Sequence, residues 1–223
     1  MGKEENIKMT TMTTAQVKND FNKIVTERRS IKNYDPSVKI SREEMAEILT
    51  FATRAPSSVN MQPWRFLVIE SPEAKAKLAP LARFNQTQVE TSSAVIAVFG
   101  DLNNFEKFEE IYGAAVDKGF MPLEVKERIQ ASFSSYFETI SREEMKEVVL
   151  VDGGLVSMQL MLAARAYGYD TNPIGGYEKD QIAEAFGLEK DRYIPVMLIS
   201  IGKAADNGHP SVRLPIDQVA QWK

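Results

Sequence analysis

The chain has 223 residues, 43% hydrophobic and 26% charged, which suits one globular domain whose core needs no covalent staples. A formal charge of -4 and a pI near 5.3 argue against a surface that tracks nucleic-acid phosphates. With no cysteine, thiol nucleophiles, disulfides, iron–sulfur clusters and thiolate zinc sites are excluded and no metal is assigned; the single histidine, His209, sits in the turn-like run Asn207-Gly208-His209-Pro210, a poor place for a catalytic triad.

Residues 1–20 are polar, Thr-rich and weakly periodic, and read as an N-terminal arm ahead of a domain over 21–223. The start has no apolar core of a signal peptide, and no uninterrupted apolar run long enough to span a bilayer follows. A cytoplasmic protein without a membrane partner is the expectation. The stripe Val17, Phe21, Ile24, Val25 predicts a helix that runs into Arg28-Arg29-Ser30-Ile31-Lys32. Two readings of that cluster compete: cations that merely complement a helix C-terminus, or forked donors and a hydroxyl that clamp a phosphate.

Ser41-Arg42-Glu43-Glu44 is a capping box, and Met45, Ile48, Leu49 and Ala52 stripe a helix that stops before Pro56. The polar loop Ala55-Pro56-Ser57-Ser58-Val59-Asn60-Met61-Gln62-Pro63-Trp64 is bracketed by prolines and runs into a strand over 64–69. It is turn chemistry, or a set of hydroxyls, carboxamides and amides that satisfy the polar edge of a planar heterocycle. Ser71-Pro72-Glu73 opens another helix, and a strand is expected over 94–99.

Between 102 and 140 the aromatics Phe105, Phe108, Tyr112, Phe120, Phe133, Tyr136 and Phe137 either wall a flat pocket or pack two helices together. A long helix from Ser141 carries apolar residues on nearly every side of its second half, which predicts burial all round. It also holds Gly153 and Gly154, together disfavoured by about 2 kcal/mol, so something must offset them. A strand over 194–201 completes an α+β pattern.

Taken together, the 28–32 cluster, the 55–64 loop, the helix running from Gly153-Gly154-Leu155 to Gly168, and Pro173-Ile174-Gly175-Gly176 resemble the nitroreductase family in order and spacing over about residues 21–215. The resemblance implies a central mixed sheet flanked by helices, in an intertwined homodimer with FMN at the subunit interface. A flavin or another backbone would then explain the helix glycines. Arg28, Arg29, Ser30 and Lys32 match positions around the FMN phosphate, ribityl chain and ring edge. Pro56, Ser57, Ser58 and Asn60 match the loop supplied by the partner subunit, and Pro173, Ile174, Gly175 and Gly176 the segment beside the reactive ring nitrogen.

Asn85 and Gln88 fall where relatives place an Asn and a Lys, and Arg213 matches a phosphate-binding arginine. Ser211 stands where a second basic residue is found, with Lys203 a candidate substitute. The implied activity transfers electrons from NADH or NADPH to nitroaromatics or quinones in ping-pong fashion, with the flavin carrying the chemistry and no catalytic side chain assigned. The alternatives are another reaction on the same fold (reductive dehalogenation, flavin fragmentation, dehydrogenation) or a flavin-binding regulatory module with little turnover.

Overall fold

The structure is a computed structural model that describes residues 20–223. The expected arm, Asp20 apart, and Val17 of the first stripe fall outside the described residues. The helices are α1 (Phe21–Glu27), α2 (Arg42–Ala52), α3 (Pro72–Leu78), α4 (Gln86–Thr91), α5 (Phe108–Asp117), α6 (Leu123–Thr139), α7 (Arg142–Ala166), α8 (Lys179–Ala185) and α9 (Ile216–Val219). The strands are β1 (Trp64–Ile69), β2 (Ala94–Asp101), β3 (Asp170–Ile174) and β4 (Tyr193–Gly202).

Why β2 reads as an unbroken apolar run is visible in its packing. Ala94, Ile96 and Val98 point to one face, where Ile48, Ala52, Val156 and Leu160 of α2 and α7 lie. Val95, Ala97 and Phe99 point to the other, against Leu78, Val89 and Ile182 of α3, α4 and α8. A strand covered on both faces has no polar side to alternate with. The sheet order is β1-β2-β4-β3, and all three pairings are antiparallel. The expected mixed sheet is corrected in this respect: the parallel pairing among the described residues is the isolated bridge Ser30↔Thr171. β3 has no apolar alternation, and its Pro173 is tolerated because the strand lies at the sheet edge.

The same pentapeptide, Ser-Arg-Glu-Glu-Met, starts α2 and α7. Ser41 Oγ accepts the Glu44 N–H at 3.1 Å, but the reciprocal half of the expected box is absent there, because the Glu44 carboxylate accepts the Tyr169 hydroxyl at 2.7 Å. The closed box forms at Ser141, where Glu144 returns to the Ser141 N–H at 2.9 Å.

α7 is long and apolar enough, by length and composition, to cross a bilayer, which an unbroken-run criterion passes over. Here it lies across the sheet. Val149, Gly153, Val156 and Leu160 are buried, whereas Leu150, Val151, Leu155 and Met158 face outward and exposed, so burial all round is corrected to burial on one side. Gly153 is explained by β4: a Cβ there would lie 2.6 Å from Val196 Cγ2. At Gly154 a Cβ would meet nothing within 4 Å. Beyond β4 the chain runs exposed to its end, and Trp222 is 86% exposed where Trp64, at the start of β1, is 5% exposed.

Candidate functional site

The cluster after α1 separates into two jobs. Arg29 Nη1 donates to Thr26 O at 2.9 Å and Arg28 O at 3.0 Å, closing the helix end. Its side chain borders a cavity of about 210 Å³ that also holds Arg165 and the carboxylates of Glu27, Asp170 and Asp206, a poor setting for an anion. Arg165 is itself paired with Asp170 at 2.6 Å. Arg28 differs: its Nη1 is buried and has no partner. Ser30 bridges Thr171 at the head of β3, with the Ile31 N–H donating to Thr171 O at 3.1 Å, and Thr171 Oγ1 is likewise buried without a partner. Buried donors without partners cost about 1–3 kcal/mol each, which makes Arg28 Nη1 and Thr171 Oγ1 candidates to bind a further group; the Ser157 and Tyr177 hydroxyls are buried without partners as well.

The other end of β3, Pro173-Ile174, leads into Gly175-Gly176, with Gly175 about 13 Å from Thr171 at strand rise. Gly175 and Gly176 are exposed. Asn85 Nδ2 donates to the Gly176 carbonyl at 3.2 Å and to Ala82 O at 3.1 Å, and buried Gln88 donates to Asn85 Oδ1 at 2.9 Å. Arg83 grips Glu178 through two hydrogen bonds of 2.7 and 3.2 Å, which raises the guanidinium pKa and lowers that of the carboxyl. These contacts hold the 81–88 and 176–178 segments together, so Asn85, Gln88, Gly175 and Gly176 form one unit.

The 55–64 loop contains three left-handed residues, Val59, Asn60 and Gln62, with φ of 42°, 55° and 48°. For a β-branched residue such as Val59 this is strained backbone. The strain is held from several directions. Ser57 Oγ accepts the Gln62 N–H at 3.0 Å, the Tyr112 hydroxyl of α5 donates to Val59 O at 2.8 Å, and both carboxylate oxygens of Asp152 on α7 lie 3.0 Å from the Ser58 N. Burial raises the Asp152 pKa, partly offset by the Ser58 amide, and burial also raises that of Tyr112. Pro56, Ser58 and Asn60 remain exposed, and beside Pro56, Asn60 and Gln62 opens a cavity of about 570 Å³.

The 102–140 aromatics divide in the same way. Phe108 and Tyr112 stack at 4.3 Å and pack under the loop against Met61, which is core packing. Phe105 and Phe137, stacked at 4.3 Å, border a cavity of about 690 Å³, and Phe120 borders the one beside the loop.

Of the sequence-predicted residues, Ser30 pairs with the head of β3, with Arg28 two residues before it, and Pro173, Ile174, Gly175, Gly176, Asn85 and Gln88 gather at its end. Lys32 is exposed. Arg213 Nη1 bonds within its own segment, to Ser211 Oγ and Val212 O; the chain reaches that segment past Gly208, where a Cβ would lie 2.8 Å from Ile31 Cδ1. Lys203 Nζ donates to Gly168 O at 3.2 Å. Asp152 and Tyr112 were missed as loop anchors. The signal for Asp152 was there: a lone carboxylate in Val148-Val149-Leu150-Val151-Asp152-Gly153-Gly154-Leu155-Val156.

Residues 25–203 match the nitroreductase family. YdgI of Bacillus subtilis, assigned as an NAD(P)H nitroreductase, is 68% identical over 205 residues, covering 92% of this chain and 98% of its own. A crystal structure of a protein from Exiguobacterium sibiricum, assigned as a nitroreductase and in complex with FMN, superposes with a TM-score of 0.91 at 66% identity, covering 93% of this chain and 99% of the other. The CLA biosynthesis enone reductase of Lactiplantibacillus plantarum is 36% identical over 190 residues, covering 85% and 88% of the two chains.

Proposed function

The chain belongs to the nitroreductase family, and from that premise we propose that it is a homodimeric, cytoplasmic oxidoreductase that holds FMN and passes electrons from NADH or NADPH to nitroaromatics or quinones. One observation carries the reading: the Nη1 of Arg28, two residues before the Ser30–Thr171 bridge, is buried and partnerless, as is the Thr171 hydroxyl. That pair suits a phosphate at the head of β3, with Ser30 and Lys32 beside it and Arg213 within reach along the exposed C-terminal segment. Arg29, committed to the helix end, contributes charge rather than a fork.

At the other end of the strand, Gly175 and Gly176 let backbone amides come close to a ring, and Asn85 and Gln88 fix the Gly176 carbonyl. Pro56, Ser57, Ser58 and Asn60 would meet the ring edge from the second subunit, with Ser57 acting as an internal strut. The outward apolar face of α7 and the exposed C-terminal segment supply the surface for that second chain.

Bound there by Arg28, Ser30 and Lys32 at one end and by the Gly175-Gly176 segment at the other, FMN would supply the hydride chemistry that links the reduced nicotinamide to the oxidised aromatic in ping-pong order. The protein's part is to bind, orient and exclude water, and it needs no triad. Gln88 in place of a Lys lowers the positive charge near the ring.

An absorbance spectrum of the purified protein, followed by stopped-flow mixing with NADH and NADPH, tests the reading. A yellow protein bleached by either nicotinamide and reoxidised by a quinone or a nitroaromatic is the expected result, with an enone as a further acceptor arm. A colourless protein that takes up no added FMN sinks it, and a yellow protein that neither nicotinamide bleaches makes it a binding module.

A further inference from the structure

Asp152 sits 4% exposed in the middle of α7, and no cation pairs with it among the described residues. A buried carboxylate without a cation is costly, and an apolar residue would pack in its place at less expense. Both of its oxygens are directed at one backbone group, the Ser58 N–H, at 3.0 Å each. That amide opens a helical turn, Ser58–Asn60, that leads through left-handed Val59, Asn60 and Gln62 to β1. Tyr112 holds the next carbonyl, that of Val59, from a different helix.

We infer that Asp152 is a positioning residue for the flavin edge: it acts through the Ser58 amide to fix the strained 57–62 loop in the conformation that presents Ser58 and Asn60 to the ring. The inference rests on the flavin reading above. Asp152 sits one residue from Gly153, whose lack of a side chain brings α7 against Val196 of β4, so the backbone that carries the carboxylate is seated directly on the sheet. A loop anchored in this way carries its hydrogen-bonding edge to the ring at constant geometry, and that geometry tunes both affinity for the flavin and its reduction potential.

Asp152→Asn has nearly the same shape but places an amide N–H₂ opposite the Ser58 N–H in one of the two positions. Release of FMN from diluted holoenzyme, followed by the recovery of free-flavin fluorescence, and the midpoint potential of the bound flavin are measured for the wild type, Asp152→Asn, Asp152→Ser and Arg28→Ala. The expected result is an FMN Kd raised about ten-fold in Asp152→Asn, more in Asp152→Ser, with a displaced midpoint potential in both. Arg28→Ala weakens binding while leaving the potential of the flavin that remains bound near the wild-type value.

Asp152 variants with wild-type Kd and potential, alongside a weakened Arg28→Ala, overturn the inference and leave the flavin reading standing. A wild type that carries no FMN removes both. If neither Asp152 variant yields a folded protein, the carboxylate serves the fold rather than the site, and the inference is overturned on that ground.

Discussion

In the stretch from Arg28 to the Ser30–Thr171 bridge, Arg28 Nη1 and Thr171 Oγ1 are buried with no bonding partner among the described residues, whereas in the 57–62 loop the Ser58 amide, the Val59 carbonyl, the Ser57 hydroxyl and the Gln62 amide are all spent within the chain. The first region sits on a regular strand and a helix end, so its geometry is secure without using up its donors. The second must hold residues in left-handed backbone, and only contacts from behind keep it there. A site can thus be completed in two ways: by leaving groups unspent on rigid support, or by spending groups to make an irregular segment rigid.

The largest effect that would sharpen this contrast comes from the neighbouring arginines. Arg28→Ala should weaken FMN binding by about ten-fold to a hundred-fold, from the loss of charge-assisted bonds worth about 1.5–3 kcal/mol. Arg29→Ala should instead cost about 0.3–1 kcal/mol of stability through the helix end. Fluorescence titration at fixed salt and thermal unfolding separate the two, and equal losses of FMN affinity would break the comparison.

Next in size are the paired glycines behind the loop. Gly153→Ala drives a Cβ into Val196 and should destabilise by about 1–3 kcal/mol, with loosened flavin as a secondary effect through Asp152. Gly154→Ala meets nothing in its own chain and should gain up to about 1 kcal/mol of helix propensity. Denaturant unfolding with light scattering reads both, and a dimer weakened by Gly154→Ala would mean that a second copy approaches this backbone closely.

Farther from the site, Ser141→Ala should cost about 1 kcal/mol by opening the box that starts α7. The smallest expected effect is in pH. The Ser141 hydroxyl and N–H hold the Glu144 pKa below its ordinary 4.5, so its contribution to stability is present above that value and lost as pH falls through the folded one. A carboxyl titration by NMR should find Glu144 below 4.5, with the shift reduced in Ser141→Ala, which removes the hydroxyl and keeps the backbone N–H.

Much of this was legible in the sequence where local signals and tertiary context agree. The helices over 42–52 and from 142, and the strands β1, β2 and β4, follow from caps, proline brackets and apolar runs. The repeated pentapeptide shows the limit. Its serine caps both helices, but whether the glutamate closes the box depends on whether a tyrosine from elsewhere reaches it, as Tyr169 reaches Glu44. β3 was hidden because Asp170-Thr171-Asn172-Pro173-Ile174 gains its strand character from an edge position. The outward face of α7 was hidden because apolar residues stand on nearly every side of the helix, and composition does not say which of them the chain's own core covers. At the proposed site, residue types point to Arg28, Arg29 and the loop alike, but that Arg29 is bonded to the helix end while Arg28 is not depends on reach, which no spacing encodes.

The two tryptophans of the chain stand at opposite extremes of solvation, Trp64 buried at the foot of the loop and Trp222 in water near the C-terminus. Excited together, they emit at different colours, the indole in apolar surroundings toward the blue and the hydrated one toward the red. If a flavin binds beside the loop as proposed, Trp64 would lose emission to it by energy transfer. Trp222 is placed to shift toward the blue when another surface covers it. A single emission spectrum therefore resolves chromophore occupancy from coverage of the C-terminal segment in two channels, without a label.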